Sequence, residues 1–138
     1  MVAATQVLAG IAFSHSGLGL VHALASSLGG MINAPHGVCL AVCTNMGLRY
    51  NIGACENGLG TLETVMRPGN GTGSAGRFLS EIQTLIQDLG FPLRPSDLGI
   101  RKEEAHRILE KTLIQTRRIQ TNPRPLDKDL LSFIEAGI

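Results

Sequence analysis

The sequence predicts an all-α fold, and three observations support this prediction. Leu20, Leu24 and Leu28 recur at the spacing that places side chains on one face of a helix. Gly90 and Pro92 follow an apolar helical pattern, as residues that stop a helix do. No stretch alternates polar and apolar residues for long enough to be a strand. We therefore expect residues 1–138 to form a single helical domain.

Charged residues are confined to the later part of the chain. The 12 Lys and Arg and 11 Asp and Glu all lie between Arg49 and Glu135, and the net charge is +1. No basic cluster with interleaved aromatic residues is present, so we expect no nucleic-acid binding. The uncharged residues 1–48 are expected to be buried against something.

Two further compositional features bear on location. Cys39, Cys43 and Cys55 are too few and too irregular for a disulfide framework, and the first two are predicted to be buried thiols. A reducing, cytoplasmic setting fits them. The apolar N-terminal segment is interrupted by glycine, serine and histidine, which argues against a signal peptide or a membrane-spanning helix.

The helices are predicted in order along the chain. Residues 3–13 are rich in Ala and Leu and form a first helix, and residues 18–28 form a second that ends at Gly29 and Gly30. Pro35 suits the first turn of a third helix running towards Tyr50, so His36 lies at its N-terminal end.

The second half of the chain begins with a predicted loop. Residues 52–76 contain seven glycines and are predicted to be mostly loop, with one helical turn near residues 62–66. Helices are predicted at residues 77–89 and 102–115 from their apolar periodicity. Asp127 is expected to cap a last short helix.

His22 and His36 are the residues with the clearest chemical potential. They lie fourteen positions apart in the uncharged segment, and His22 falls off the leucine stripe and is free to face a cavity. Two imidazoles can supply two ligands to a divalent metal, but a catalytic site needs three or more. From spacing alone, a hydrogen-bonded core histidine is the stronger interpretation of His22, because a histidine in a helix more often has that role than the role of a metal ligand.

A series of motifs resembles one family. The run from Gly10 through Phe13 and His22, then Leu28-Gly-Gly, Pro35-His36-Gly37 and Arg49-Tyr50-Asn51, is similar to the C-terminal helical domain of the iron-containing alcohol dehydrogenases. The similarity continues through residues 88–92 and 98–100 to Thr121-Asn-Pro-Arg124-Pro. It implies the helical, dehydroquinate synthase-like fold of that domain.

The resemblance implies a metal-dependent, NAD(P)-linked dehydrogenase of small alcohols. His22 and His36 match two of the family's metal-ligand positions, and Phe13 matches an aromatic position beside the nicotinamide. The metal, iron or zinc, would activate the alcohol. The family's other two ligands and its nucleotide-binding domain lie upstream of the matched segment. We therefore expect residues 1–51 to form half of a metal site, and we expect the chain to be inactive alone and to contain no catalytic residue of its own.

Several positions depart from the family pattern. Ser26 stands where a proton-relaying histidine is common, Ser27 replaces a usual proline, and His15 replaces a usual asparagine. Asn45-Met46 replaces the Pro-His of many relatives. A serine does not titrate near neutral pH, so a reassembled enzyme is expected to be slow or altered in substrate.

Two hypotheses follow. In the first, the chain is the C-terminal domain or fragment of such a dehydrogenase, active only with an N-terminal domain on the same or a separate chain. In the second, it is a non-enzymatic helical module whose apolar face binds a second copy or another partner.

Overall fold

A computed structural model describes residues 2–69 and 71–138. It contains α1 (Val2–Ser16), α2 (Gly19–Ile32), α3 (His36–Met66), α4 (Ala75–Asp88), α5 (Ala105–Leu113), α6 (Thr116–Ile119) and α7 (Asp129–Gly137). Two 3-10 turns, Pro95–Leu98 and Lys102–Glu104, precede α5. These two described ranges contain no strand, which confirms the predicted all-α class.

Helix α2 lies at the centre of the main core. Its leucine stripe is buried as predicted, with Leu20, Leu24 and Leu28 no more than 1% exposed. The stripe belongs to one buried cluster with side chains of α3, α5 and α7, and Cys39 and Cys43 are fully buried there, as expected for structural thiols. Burial of each such leucine stabilises the fold by roughly 1.5–3 kcal/mol. The core therefore fixes α2 and both of its ends.

The ends of α2 and α3 decide where the histidines lie. Helix α2 does not end at Gly29 and Gly30 as predicted; it continues to Ile32. Asn33 ends it in the left-handed conformation, with φ of 52°, and donates its backbone N–H to the Gly29 carbonyl. Helix α3 then begins at His36, directly after Pro35, which confirms the predicted start.

The prediction that residues 52–76 are mostly loop is wrong, because α3 continues to Met66. Leu59 packs in a second apolar cluster with Ala75 and Phe78 of α4, joined by Leu48, Ile52, Cys55 and Ile82. Glycine there permits a close approach: a Cβ on Gly73 would lie 1.7 Å from the Gly60 carbonyl oxygen. Packing thus outweighs the cost of about 1 kcal/mol for each helical glycine.

A buried ion pair also ties α3 to α4. Glu63 is only 2% exposed, and its carboxylate accepts hydrogen bonds from Arg77 at 3.2 and 3.3 Å and from the Ser74 backbone at 3.3 Å. The hydrogen bonds from Arg77 lower the pKa of Glu63, against the effect of burial. The carboxylate therefore stays ionised and holds the start of α4 in place.

The C-terminal helices agree with prediction in position and differ in detail. Helix α4 matches the predicted 77–89 helix and begins two residues earlier. The predicted 102–115 helix is a 3-10 turn followed by α5, and α6 was not predicted. Asp127 does cap the chain before α7, because its carboxylate accepts the Asp129 backbone N–H at 2.9 Å.

Helix α1 corrects the expectation that the whole uncharged segment is buried, since none of its residues is buried. Its apolar side chains are exposed, among them Val2, Val7, Leu8 and Ile11 at 73%, 61%, 67% and 54%. Within the described ranges, no single helix is long and apolar enough to cross a membrane. Helices α1 and α2 reach that length and composition only as a pair, bent by 104°.

Candidate functional site

Three rings from three different helices meet at one end of the core. The Phe13 and His22 ring centroids are 6.1 Å apart, and those of His22 and His36 are 6.0 Å apart. Phe13 comes from the last turns of α1, His22 from the first turn of α2, and His36 from the first residue of α3. The structure thus brings together all three residues that the sequence singled out.

The sharp bend between α1 and α2 places Phe13 beside His22. It depends on Gly17 and Gly19, whose φ angles of +82° and +69° lie in the region that favours glycine. A Cβ on Gly17 would lie within 2.7 Å of three side-chain atoms of Thr121. The bend therefore requires glycine both for its backbone conformation and for space.

Asn122 anchors the start of α2 from the far end of the chain. Its side-chain oxygen accepts the Leu20 backbone N–H at 2.9 Å, which satisfies a donor that the helix start leaves unpaired. Asn51 and Asn122 also exchange amide hydrogen bonds at 3.0 and 2.7 Å. The motif that ends in Asn51 and the motif that contains Asn122 therefore act together, because their paired asparagines hold the turn that carries His22.

Tyr50 and Arg124 brace the same scaffold. The Tyr50 hydroxyl donates to the Pro125 carbonyl at 2.8 Å, and the Arg124 guanidinium lies 4.1 Å from the centre of the Tyr50 ring. Arg124 also pairs with Asp127 and Asp129 at 3.1 and 3.3 Å. Burial raises the pKa of Tyr50, so its hydroxyl stays protonated and keeps donating.

The electrostatics favour a neutral imidazole at His22. Burial lowers its pKa from the ordinary 6.5, and the neighbouring His36 and Arg118 lower it further, while the Leu18 backbone opposes them. The neutral ring is the form that binds metals. A hydrogen-bonded core histidine would be enclosed, whereas His22 is half-buried and faces two other rings.

The ring spacing of the histidine pair is near that of two imidazoles on one metal, and two such ligands do not complete a site. Two imidazoles bonded to one metal at ~2.1 Å place their ring centroids roughly 5–6 Å apart, close to the observed 6.0 Å. Across residues 2–69 and 71–138, no group of three or more His, Cys, Asp or Glu side chains is placed to hold a metal. Further ligands would have to come from outside this part of the chain.

A polar network that the sequence did not predict lies next to the pair. The Gln115 amide nitrogen contacts the Ala23 carbonyl and the Ser27 hydroxyl, both at 2.9 Å, and the Ser27 and Thr112 hydroxyls are 3.1 Å apart. The Gln115 oxygen accepts a hydrogen bond from Arg118. Because these residues are some ninety positions apart, local periodicity gave no signal for them.

Residues that depart from the family pattern mostly serve packing. Asn45 accepts hydrogen bonds from Gln83 of α4 at 2.7 Å and from Arg49 at 3.0 Å. Met46 is 6% exposed and lies against Gly137, where an added Cβ would meet its sulfur at 2.3 Å. His15 is exposed on α1 and contacts the Ile11 carbonyl.

Comparison with known proteins agrees with this arrangement. A model of the Fe-containing alcohol dehydrogenase family, C-terminal region, matches residues 1–136. The chain belongs to the iron-containing alcohol dehydrogenase family. Its relatives in this family include lactaldehyde reductase from Escherichia coli K12, which is 33% identical over an alignment that covers 94% of this chain and 34% of that enzyme.

Two other family members also match this chain over about a third of their own length. The 1,3-propanediol dehydrogenase of Klebsiella pneumoniae is 34% identical over 117 residues, covering 81% of this chain and 30% of that protein. The solved alcohol dehydrogenase from Oenococcus oeni superposes with a TM-score of 0.87 at 30% identity, over 95% of this chain and 35% of that one. The chain thus spans about a third of the length of the curated relatives it matches.

Proposed function

We propose that this chain is the metal-site half of an NAD(P)-dependent alcohol dehydrogenase, with His22 and His36 as two ligands of a divalent metal. The observation that carries the proposal is the meeting of both imidazoles and Phe13 at three helix ends, with centroid separations of 6.0 and 6.1 Å. Membership of the iron-containing family favours iron, and imidazole equally suits zinc.

Each residue has a role that follows from its position. A divalent metal at this site would supply Lewis acidity that lowers the pKa of an alcohol hydroxyl. His22, held neutral by its surroundings, and His36, at the start of α3, would hold that metal. Phe13 is 47% exposed and lies beside His22. It would offer an apolar face to a nicotinamide ring and would exclude water from the reacting carbon.

The chain would complete its site with a second part. The remaining ligands and the nucleotide-binding domain would come from an N-terminal region on the same polypeptide or on a separate one. The exposed apolar side chains of α1 would pack against that region. A small alcohol or the corresponding carbonyl compound would bind between the two parts, beside the histidine pair.

Metal titration of the purified chain tests this proposal. We expect Zn²⁺ to bind weakly, as two ligands allow, and binding to fall at least about tenfold in both His22→Ala and His36→Ala. His106→Ala is the matched control, because His106 is exposed on α5, and it should bind as the unaltered chain does. Unchanged binding in His22→Ala would refute the metal role.

A second candidate function rests on α1 alone. Helix α1 has no buried residue, and its exposed apolar side chains form a surface suited to self-association. In this alternative the chain is a non-enzymatic oligomerisation or partner-binding module. Metal-free protein of oligomeric mass, unaffected by the histidine substitutions, would favour it over the dehydrogenase.

A further inference from the structure

We infer that Arg118 forms an anion-binding subsite in the cleft, and that the substrate of this protein carries a carboxylate next to its reacting carbon. The substrate assignment rests on the proposed function. The anion subsite itself rests on the structure of this chain alone. Its basis is the position of Arg118, the way its side chain is held, and the charges around it.

Arg118 lines two neighbouring cavities. A cavity of about 650 Å³ is lined by Phe13 and Arg118, and a second of about 290 Å³ is lined by Ser26 and Arg118. Ser26 lies one helical turn after His22, and Phe13 lies beside it. A group held by Arg118 would therefore lie beside Phe13, which contacts the His22 ring, in the larger cavity, or beside Ser26, one helical turn after His22, in the smaller one.

The guanidinium is held in place by a neutral partner. Gln115 is fixed by contacts of its amide nitrogen with Ala23, Ser27 and Lys111, at 2.9, 2.9 and 3.0 Å. Its remaining oxygen accepts one hydrogen bond from Arg118. Because arginine has five N–H donors in a planar fork, the others can bind both oxygens of a carboxylate.

The surroundings carry an unbalanced positive charge. Arg117 lines the larger cavity and Lys111 the smaller one, and no Asp or Glu is among the described residues that line either of them. The ion pairs found in residues 2–69 and 71–138 involve Arg67, Arg77 and Arg124, and none involves these three cations. A cleft wall of one sign attracts an anion of the opposite sign.

Competing explanations predict a different side chain. A solvated surface arginine would be exposed, as its neighbour Arg117 is, whereas Arg118 is half-buried and held by Gln115. A phosphate of the nucleotide shares the chemistry of a carboxylate and could use the same donors. The arginine fork binds either anion at two points. Arg118 shares its larger cavity with Phe13, the proposed nicotinamide position, and the nucleotide phosphates lie a ribose away from that ring, so we assign the donors to the substrate carboxylate. The test separates these two sources.

The test compares pyruvate, hydroxyacetone and inorganic phosphate as probes at constant ionic strength. Pyruvate and hydroxyacetone share a methyl ketone, and only pyruvate carries a carboxylate. Binding to the metal-free chain is followed by NMR shifts, including the side-chain signal of Arg118. We expect pyruvate to bind at least about tenfold more tightly than hydroxyacetone, and more tightly than phosphate.

Variants assign the effect to one residue. Arg118→Gln should lower pyruvate affinity about tenfold or more, and Arg118→Lys should retain part of it because the charge remains without the planar fork. Arg107→Gln is the control, since Arg107 is exposed on α5, and should change nothing. Amide spectra that match outside the cleft will show that each variant is folded.

Three results would overturn the inference: pyruvate and hydroxyacetone binding alike, phosphate binding more tightly than pyruvate, or Arg118→Gln retaining full affinity. The outcome is separable from that of the proposed function. Zn²⁺ binding depends on His22 and His36 and does not involve Arg118. A chain that binds pyruvate through Arg118 but no metal would refute the dehydrogenase role alone.

Discussion

Helices α1 and α2 have similar apolar compositions and opposite environments. Both are uncharged and nearly equal in length, at 15 and 14 residues. Six residues of α2 are buried, and none of α1 is. The difference lies in the arrangement of the apolar side chains. The α2 leucines lie on one stripe, whereas the apolar side chains of α1 are spread around the helix.

The comparison shows that two kinds of surface are encoded in one apolar segment. Helix α2 stabilises this domain, so its hydrophobicity is used within the fold. Helix α1 presents Phe13 to the cleft and leaves its other apolar side chains uncovered. Such an exposed helix is suited to contact with another domain or another chain.

The largest expected effect tests this difference with one substitution in each helix. Leu24→Ala removes a side chain that is 1% exposed in the main core, and should lower the free energy of unfolding by about 2–5 kcal/mol. Leu8→Ala removes one that is 67% exposed, and should change it by less than ~0.5 kcal/mol. Urea denaturation of both variants measures the contrast. Equal losses would show that α1 is packed in solution.

The next effect concerns the junction of the two helices. Gly17→Ala would place a Cβ against Thr121 in an unfavourable backbone conformation, and should cost about 1–3 kcal/mol. Gly10→Ala, inside α1 with nothing within 4 Å, should instead stabilise the helix by up to about 1 kcal/mol. Thermal unfolding distinguishes the two signs. A loss in both variants would mean that α1 is not the open helix described here.

The sequence was sufficient for elements whose packing follows a local pattern. The Leu20, Leu24 and Leu28 stripe predicted α2, and Pro35 predicted the start of α3. It was insufficient at residues 52–66, where local glycine cost pointed to a loop. There Leu59 is buried against α4, a contact between distant segments that no window of neighbouring residues contains. The spacing of Leu48, Ile52, Cys55 and Leu59 was the signal that could have revealed the helix.

The candidate site shows the same division. Phe13, His22 and His36 could be selected from motifs, because the family pattern preserves their spacing along the chain. Arg118 could not, since its importance depends on Gln115, which is held by Ser27 from a different helix. The sequence therefore identified the residues that resemble a known site, and the structure added Arg118, whose position depends on contacts between distant segments.

A third effect sharpens the role of α1 itself. Replacing both Leu8 and Ile11 by Lys places charge on side chains that are 67% and 54% exposed. If α1 associates with a second copy, this double variant should shift the mass measured by light scattering to that of a monomer, with little loss of stability. A matched double replacement of the exposed, uncharged Thr61 and Gln87 by Lys, which also adds two positive charges, should leave the mass unchanged. An unaltered chain that is already monomeric would argue against self-association and favour the proposed contact of α1 with a nucleotide-binding region.

The smallest effect compares the histidines of the two helices. The folded chain holds the pKa of His22 below 6.5, mainly through burial and then through His36 and Arg118. As the pH falls below about 6.5, the unfolded chain binds a proton at this residue more readily than the folded chain does, so the free energy of unfolding decreases. Above that pH His22 is neutral in both states and contributes no pH dependence.

In His22→Gln the decrease in stability between about pH 7.5 and pH 5.5, measured by urea denaturation, should therefore be smaller than in the unaltered chain. His15→Gln, on exposed α1, is the control and should retain the full decrease. If His22→Gln retained it as well, the imidazole in α2 would be as solvated as a surface side chain, and the contrast between the two helices would not extend to their histidines.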